Sequence, residues 1–333
     1  MLVFSVETSC DETSVCLMDD NKHIYSHIIS SQDEHKKFGG VVPELASRAH
    51  LTKLQEITKK AFNKSGKKIK DIDLFAATCG PGLIGPLLVG STYTKALSIG
   101  SQKPFIPINH IESHLLSPTY NNEITYPHIS LLVTGGHTQI YLMNSKEKIF
   151  LLGESVDDAV GETFDKVAKI LKLNYPGGPE IENKSKKGNE FLYKLPIPLV
   201  KNNNLNMSFS GIKTAVNILV KKNILNDKFV ADMCASFQLC ISKVLIEKLS
   251  KIIQNLKNKK INISSASLVG GVSNNQYISV KLKNFLEKER IKMFLPTKEM
   301  MSDNAAMIAW ACISKYKKNK DIFFKPNPRL SIL

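Results

Sequence analysis

The sequence predicts an α/β protein of two domains, each with a partly parallel sheet. Three observations support this prediction. The chain has 333 residues, which is more than a single typical core accommodates. Strands and helices alternate along it, as parallel sheets require. Two similar hairpins, at residues 2–18 and 129–143, begin segments that are a domain length apart.

Both hairpins consist of an apolar strand, a polar or glycine-rich tip and a second strand. The first reads LVFSVETSCDETSVCLM and the second ISLLVTGGHTQIYLM. Short polar tips between β-prone runs are typical of hairpins. We predict a first domain over 1–125, a second domain over 126–310 with an exposed insertion near 185–210, and a tail over 311–333 that packs back on the first domain.

The first helix is predicted from Pro43 to Gly66, because proline suits the first helical turn and glycine the C-terminal cap. Its apolar stripe consists of Leu51, Leu54, Ile57 and Ala61. A buried strand, IDLFAATCG, then precedes the helix PLLVGSTYTKALSIG and the short strand PFIPINH.

The second half continues the alternation. An amphipathic helix, DDAVGETFDKVAKILKL, ends at the stop signal YPGGP, and a long helix, DMCASFQLCISKVLIEKLSKIIQNL, follows. ASLVGGVSNNQYISVKLKNFLEKE is a strand, a Gly-Gly turn and a helix. MSDNAAMIAWACISKYKK is a last helix with Asp303 near its start.

Composition favours a cytoplasmic protein that contacts nucleic acid. The net charge is +15, and lysines cluster in runs such as NKSKKG and KYKKNK, which suit a phosphate backbone. A lysine-biased composition explains the same runs without a ligand. The N-terminus has no signal or transit pattern, no apolar run approaches the roughly 20 residues of a membrane span, and the 6 cysteines form no C-x-x-C pair.

His110 and His114, in NHIESH, are four residues apart, so they share a helix face and can hold one cation. Two surface histidines without a ligand are the alternative. In the zinc-protease pattern H-E-x-x-H, the catalytic glutamate directly follows the first histidine. Here Glu112 comes two residues after His110, roughly 200° round the helix, and points away from the pair. A third ligand must come from elsewhere, and Asp303 is a candidate.

Glycine pairs occur in VTGGHT, YPGGP and VGGVSNN, and none has the Lys-Ser/Thr of a Walker A loop. Each pair alone is compatible with a plain turn. Together they favour a nucleotide cleft between the two domains, because glycine turns let the backbone approach phosphate or ribose. Acids near these turns are either solvated charges and helix caps or groups that bind cation, ribose or nucleophile. These acids are Asp11, Glu12, Asp165 and Glu182.

Ten motifs, in order along the chain from Ser5 to about Ala309, resemble the tRNA N6-adenosine threonylcarbamoyltransferases, the TsaD family once described as glycoproteases. They are ETSCDETS, GGVVPELASRAH, NHIESH, LLVTGGHTQ, GESVDDAVGETFDKVAK, YPGGP, SFSGIKTA, ASFQ, GGVSNN and SDNAAMIA. The resemblance implies the two-domain actin-like, sugar-kinase-like, Hsp70-like (ASKHA) fold.

The resemblance also implies an activity. It is the transfer of the threonylcarbamoyl group from threonylcarbamoyl-AMP to N6 of adenosine 37 in tRNAs that read ANN codons, which forms t6A and releases AMP. One divalent metal per subunit is implied, with Fe2+ favoured and Zn2+ as the alternative. The implied partners are the tRNA anticodon stem-loop, a smaller TsaB-like paralogue of the same fold and a TsaE-like P-loop ATPase, and no membrane.

The site residues that the resemblance implies fall into three groups. The metal ligands are His110, His114 and Asp303. The substrate-binding residues are Leu132, Val133, Thr134, Gly135, Gly136, Asp165, Gly178, Glu182 and Asn275. The acids suspected of helping the chemistry are Asp11 and Glu12.

Departures from the family pattern are small. Ser113 stands where the family usually has Gly or Ala, and Met301 and Ser302 replace a Cys-Thr pair, so no thiolate joins the metal ligands. Three rival functions predict different behaviour. A metalloprotease would cleave polypeptide, a kinase- or chaperone-like ATPase would hydrolyse nucleotide unaided, and a scaffold would keep tRNA affinity without the histidines.

Overall fold

The computed structural model describes residues 1–32, 35, 40–199, 204–316 and 325–332. The strands are β1 Leu2–Glu7, β2 Glu12–Asp19, β3 Ile24–Ser31, β4 Leu74–Gly80, β5 Phe105–Asn109, β6 His128–Val133, β7 Thr138–Met143, β8 Ile149–Glu154, β9 Ser265–Val269 and β10 Lys292–Phe294. The helices are α1 Pro43–Ser65, α2 Ile84–Gly100, α3 His110–Leu116, α4 Val160–Ile170, α5 Gly177–Ser185, α6 Ser210–Lys222, α7 Asp227–Asn258, α8 Gln276–Lys288 and α9 Ala305–Lys315.

The chain divides into two units, and each contains one five-stranded sheet. The strand order is β3-β2-β1-β4-β5 in the first unit and β8-β7-β6-β9-β10 in the second. In both sheets the first three strands form an antiparallel meander, and two further strands add in parallel beside the first one. The predicted α/β class is therefore confirmed, and the two predicted hairpins are β1–β2 and β6–β7.

The units are Met1–Asn122 with Pro296–Leu333, and Glu123–Leu295. The predicted second domain extended to residue 310, but the chain from Pro296 onward groups with the first unit. The reason is the contact of α9 with the first sheet. The Ala305 N–H donates to Ser14 Oγ (3.0 Å), and Ser5 Oγ donates to the Ala305 carbonyl (2.7 Å).

The described part of the C-terminal tail, residues 325–332, also lies against the first unit. The Asn327 N–H donates to the Cys79 carbonyl over 2.8 Å, and Asn109 Nδ2 donates to the Leu330 carbonyl over 3.3 Å. These bonds join the tail to the ends of β4 and β5, next to the start of α3.

The first helix follows its predicted start and stop signals. α1 begins at Pro43, and Gly66 caps it in the left-handed region at φ 66°. Leu51 was predicted to join the buried stripe, but its side chain is 70% exposed. The buried stripe instead extends from Leu54 toward the N-terminus. His50 and Ala46, which precede Leu54 by four and eight residues, lie on the same helix face and are buried.

The segment YPGGP was predicted only to end a helix. It does separate α4 from the next element, but its first glycine, Gly177, also begins the short helix α5, which was not predicted. Asp165 Oδ1 accepts the Gly177 N–H (2.7 Å) and stabilises this helix start. The outer strands β3 and β8 were also missed, since their apolar residues are half-exposed.

The predicted insertion is exposed only in part. Its described residues, 186–199 and 204–209, form no helix or strand apart from one bridge between Ser155 and Met207. Met207 and Phe209 are fully buried. The irregular segment is therefore anchored in the core at its C-terminal end.

The second unit is built around α7. This helix is long and apolar enough to cross a membrane by length and composition, with a mean hydropathy of 1.6 over its most apolar window. However, 83% of that window is buried inside the protein. Its side chains pack with those of α4, α8 and one face of the β6–β9 pair. This is the environment of a core helix.

Candidate active site

Two imidazoles and a carboxylate converge in the first unit. One ligand atom from each of His110, His114 and Asp303 lies within 4.8 Å of the others. His114 Nε2 lies 2.9 Å from Asp303 Oδ1, and His110 Nε2 lies 3.6 Å from Asp303 Oδ2. Both histidines are buried, whereas the Asp303 side chain is 23% exposed. The structure thus brings the three predicted ligands together.

The local fold explains how the two histidines meet. α3 begins at His110 directly after β5, and the Asn109 side chain caps it by accepting the Glu112 N–H over 3.1 Å. Residues four apart then share a face. Glu112 points elsewhere and forms an ion pair with Lys315 of α9. The predicted orientation of Glu112 away from the histidines agrees with this contact.

A fourth residue, Glu7, holds the first histidine in place. It ends β1, is 1% exposed, and its Oε2 lies 3.2 Å from His110 Nδ1. Since an ionised carboxylate can only accept, Nδ1 carries the proton and Nε2 faces Asp303. The Ser9 N–H donates to Oε1 (2.6 Å), and Thr78 Oγ1 donates to Oε2. Sequence reasoning missed Glu7, because a lone acid at a strand end carries no spacing signal.

The electrostatics of this group depend on its carboxylates. Burial disfavours the His110 imidazolium, but the Glu7 and Asp303 carboxylates outweigh burial and raise the pKa of His110 to about 9. For His114 burial prevails and lowers the pKa, although Asp303 opposes it. Burial raises the pKa of Glu7, but His110 reverses this and holds it below its usual value. A cation held by these residues would replace the proton on His110 Nε2 and leave the one on Nδ1 in place.

The donor set fits a divalent transition metal. Two imidazole nitrogens and one carboxylate form the set that non-haem Fe2+ and Zn2+ accept, with further positions open to substrate or water. Glu7 supplies the carboxylate behind a ligating histidine that such centres use for orientation. His114 Nδ1 is buried and has no hydrogen-bond partner among the described residues, so Asp303 and edge-on packing against the His110 ring orient this imidazole.

The two acids predicted to help the chemistry lie at the tip of the first hairpin. Asp11 and Glu12 are both half-buried, and Glu12 begins β2. Burial, with the nearby Asp11 and Asp303 carboxylates, raises the pKa of Glu12 well above its usual value. A cation held by Asp303 would lower it again. Glu12 is therefore within electrostatic reach of the three-ligand group.

The predicted adenylate loop lies in the second unit, at the tip of the β6–β7 hairpin. Leu132 and Val133 end β6 and are fully buried, whereas Gly135 and Gly136 are exposed. Thr134 closes the tip: its N–H donates to the His137 carbonyl (2.8 Å), and its Oγ1 accepts the His137 N–H (2.9 Å). A backbone surface without side chains results.

Gly161, which sequence reasoning did not single out, supports this tip from α4. Its N–H donates to the Thr134 carbonyl over 3.2 Å. A Cβ at Gly161 would lie 2.7 Å from the Thr134 carbonyl oxygen and 2.8 Å from Gly135 Cα. Only glycine allows the start of α4 to lie this close to the loop.

The other predicted substrate residues fix helix starts beside this loop. Asp165 holds the start of α5, whose second residue, Gly178, has open space where a Cβ would be. Glu182 Oε1 accepts the Gln276 N–H at the start of α8 over 2.8 Å. Asn275 caps the same helix, and its Nδ2 donates to Gln238 Oε1 of α7 over 2.7 Å. These side chains thus fix the starts of α5 and α8 by accepting their first N–H groups.

Solved structures with this fold define the class of protein. HypF from T. kodakarensis aligns with a TM-score of 0.63 at 12% identity, over 94% of this chain and 47% of its own. Component A of the Acidaminococcus fermentans (R)-2-hydroxyglutaryl-CoA dehydratase aligns with a TM-score of 0.55 at 12% identity, over 96% and 98%. At these identities the likeness concerns the fold alone, and this chain has the actin-like, sugar-kinase-like fold.

The sequence comparison is more specific. The profile of the family described as tRNA N6-adenosine threonylcarbamoyltransferase matches residues 23–310. A protein of that description from Wolbachia pipientis wMel is 44% identical over 98% of this chain and 97% of its own length. Another, from Thermosipho africanus, is 45% identical over 100% of both chains. The chain belongs to this family and is a transferase that takes part in tRNA modification.

Proposed function

We propose that this protein transfers the threonylcarbamoyl group from threonylcarbamoyl-AMP to N6 of adenosine 37 in tRNAs that decode ANN codons. The N6 nitrogen forms a bond to the carbamoyl carbon and loses a proton. The bond from that carbon to the phosphate oxygen breaks, and AMP leaves. Family membership together with the convergence of His110, His114 and Asp303 is the observation that carries the proposal.

The three-ligand group would hold one divalent metal, Fe2+ in the first instance and Zn2+ as the alternative. When bound, such a metal polarises a carbonyl or anchors a carboxylate. The protein's own part is positioning, because the acyl group already has a good leaving group. Glu7 fixes the His110 ring, and Asp303 fixes His114.

Asp11 and Glu12 are proposed to receive or orient the amine of adenosine 37. An exocyclic amine attached to a purine is a poor nucleophile, so a carboxylate that accepts its proton assists the attack. The raised pKa of the half-buried Glu12 carboxyl in the cation-free protein supports a proton-accepting role once a cation restores its ionised form.

The adenylate is proposed to bind in the second unit. The exposed Gly135 and Gly136 and the open Gly178 support this, because they offer backbone N–H groups without a side chain in the way. Asp165, Glu182 and Asn275 keep the neighbouring helix starts in place. Leu132 and Val133 are buried at the end of β6 and hold this loop in place from within the sheet.

The RNA substrate is proposed to bind through phosphate contacts, in the cytoplasm where tRNA is processed. Most of the excess of basic over acidic residues belongs to residues 123–295. Such a surface holds a stem-loop by its backbone with little readout of sequence.

A smaller paralogue of the same fold is the proposed protein partner, together with a P-loop ATPase. An exposed apolar helix face in the first unit supports the proposal of a paralogue as partner. On α2, Ile84, Leu88 and Ile99 are 47%, 46% and 68% exposed, and Leu51 on the adjacent α1 is 70% exposed. Apolar side chains along one helix face are typical of a helix-to-helix interface.

The decisive experiment is incubation of metal-loaded protein with threonylcarbamoyl-AMP and unmodified tRNA, followed by mass analysis of nucleoside 37. It is run alone, with the paralogue, and with both partners. Formation of t6A together with one AMP per event supports the proposal. Polypeptide cleavage, or ATP hydrolysis by this chain alone without t6A, contradicts it.

A further inference from the structure

An aromatic side chain stands exposed on the second unit. Phe191 is 71% exposed, and Leu192 next to it is 52% exposed. A phenyl ring left in water forgoes about 1.5–3 kcal/mol of burial, so a freely moving segment would turn it inward. The question is what keeps it outside.

Contacts with α7 hold the backbone on both sides of Phe191. The Asn189 N–H donates to the buried Asp232 carboxylate (2.7 Å), and the Tyr193 N–H donates to Ser236 Oγ (3.2 Å). The Tyr193 ring packs edge-on against Phe229, with 5.4 Å between centroids. At Gly188, a Cβ would collide with the Ala231 carbonyl oxygen of α7.

The surroundings of Phe191 are basic. Lys186, Lys187 and Lys194 are exposed, and Glu190 is the one acid in residues 186–194. Its carboxylate is already bound: Tyr277 Oη donates to it over 2.7 Å, and Lys281 pairs with it over 3.0 Å. The exposed ring is therefore flanked by positive charge that nearby acids do not balance.

We propose that Phe191 is a stacking platform for an unpaired base of the substrate's anticodon loop, and that Lys186, Lys187 and Lys194 contact the phosphates beside it. The proposal rests on the proposed function and names the part of the chain that receives the RNA. Rigid aromatic rings between lysines are the usual means of binding single-stranded RNA. A protein partner fits less well, because lysine is depleted in the centres of protein interfaces.

The first test measures binding of an anticodon stem-loop RNA by fluorescence anisotropy at fixed salt. Phe191→Ala raises the Kd by about five- to a hundredfold. Phe150→Ala is the matched control, because Phe150 on β8 is also exposed, at 51%, and its loss leaves the Kd unchanged. An unchanged Kd for Phe191→Ala overturns the proposal. So does a Phe191→Ala variant that no longer binds a protein partner but keeps its affinity for the RNA.

The lysines are tested by salt dependence. The double change Lys186→Ala, Lys187→Ala lowers the slope of log K against log salt by about 1 to 2. The control removes the same charge at Lys259 and Lys260, which follow the far end of α7, roughly 40 Å from Asp232 along the helix. An equal decrease of the slope in both variants contradicts a local site.

Phe191→Trp gives a direct signature of stacking. The one native tryptophan, Trp310, is 7% exposed and provides a constant background. Emission of the new indole is quenched by a stem-loop with intact loop bases and not by one with abasic loop positions. Unchanged emission with the intact loop overturns the proposal.

The same variants distinguish a failure of the proposed RNA-binding surface from a failure of the proposed reaction. Wild-type protein that binds the loop through Phe191 but forms no t6A contradicts the proposed reaction and supports the surface. Protein that forms t6A with the same KM for RNA after Phe191→Ala contradicts the surface and leaves the reaction standing.

Discussion

The two sheets share one strand order but carry different chemistry at their strand ends. In the first unit, β1 ends at Glu7 and β5 leads directly into His110. In the second, β6 leads into Gly135 and Gly136. One sheet edge therefore presents carboxylates and imidazoles, and the other presents bare backbone. Topology decides where a site lies, and the residues after each strand decide whether it suits a cation or an anion.

Glycine alone does not mark a ligand site, as the ends of β4 and β9 demonstrate. At Gly80, the last residue of β4, a Cβ would collide with the Asn327 carbonyl oxygen, so this glycine accommodates the chain's own C-terminal segment. At Gly271, after β9, and at Gly135 and Gly136, a Cβ would meet nothing within 4 Å. Open space beside the glycine, rather than the glycine itself, is what the tip of the β6–β7 hairpin and the turn at Gly271 share.

The largest expected effect comes from His110→Ala in the first unit. It removes one of the three proposed metal ligands, so we expect bound metal to be lost and t6A formation to fall on the order of a thousandfold or more. AMP affinity, which we assign to the second unit, stays unchanged. Metal content by mass spectrometry and nucleoside analysis check this. Glu112→Gln on the same helix is the control and keeps the metal. Full activity in metal-free His110→Ala protein refutes the role of the cation.

Gly161→Ala tests the second unit in the same way. The added methyl group displaces the Thr134–Gly135 backbone, so AMP affinity and kcat/KM fall by up to about a hundredfold, while metal content is unchanged. Calorimetric AMP titration measures the effect. Gly211→Ala on α6 is the control, because a Cβ there meets nothing within 4 Å. If the unchanged protein, Gly161→Ala and Gly211→Ala all bind AMP equally well, the β6–β7 hairpin does not hold the adenylate.

Glu7→Gln weakens the first unit's centre without removing a ligand. The amide oxygen of glutamine can still accept from His110 Nδ1, but it lacks the negative charge that makes the imidazole a stronger ligand, so metal affinity falls about ten- to a hundredfold. Competition between protein and chelator for Co2+, followed by its absorption, gives the affinity. Ser9→Ala, which removes a neutral neighbour of the same nitrogen, has the smaller effect. If the two variants bind Co2+ equally, the charge of Glu7 is irrelevant.

The smallest effect concerns stability against acid. Burial lowers the pKa of His128 in β6 to about 3 and that of His27 in β3 to about 4. Unfolded histidine titrates near 6.5, so the unfolded state takes up the proton first. Each histidine's contribution is complete above about pH 6.5 and is lost as pH falls toward its folded pKa.

His128→Gln therefore reduces the pH dependence of the unfolding free energy by about 1.4 kcal/mol per pH unit below pH 6. Denaturant titrations between pH 7 and pH 4.5 measure this slope. His27→Gln gives the corresponding change for the first unit over a narrower range. Parallel slopes for the variant and the unchanged protein indicate that His128 takes up its proton in the folded state.

The sequence predicted features with a periodic or local cause. The hairpins, the ends of α1 and the meeting of His110 with His114 follow from spacing and capping. Asp303 required the family resemblance, because its partner His114 is 189 positions away. Glu7, Gly161 and Gln238 were missed for the same reason: each acts on a residue that only tertiary folding brings near. Leu51 was misplaced because helix period alone does not tell which face the sheet covers.

The first unit consists of two separate segments of the chain, and this affects when it can fold during synthesis on the ribosome. Glu7, His110 and His114 emerge early, but Asp303 and the α9 contacts with Ser5 and Ser14 come only near the end of synthesis. The second unit, one continuous stretch from Glu123 to Leu295, is complete before them. Domains tend to fold as units in the order of their translation. A nascent chain therefore completes its second unit first and brings the three proposed metal ligands together only as translation ends.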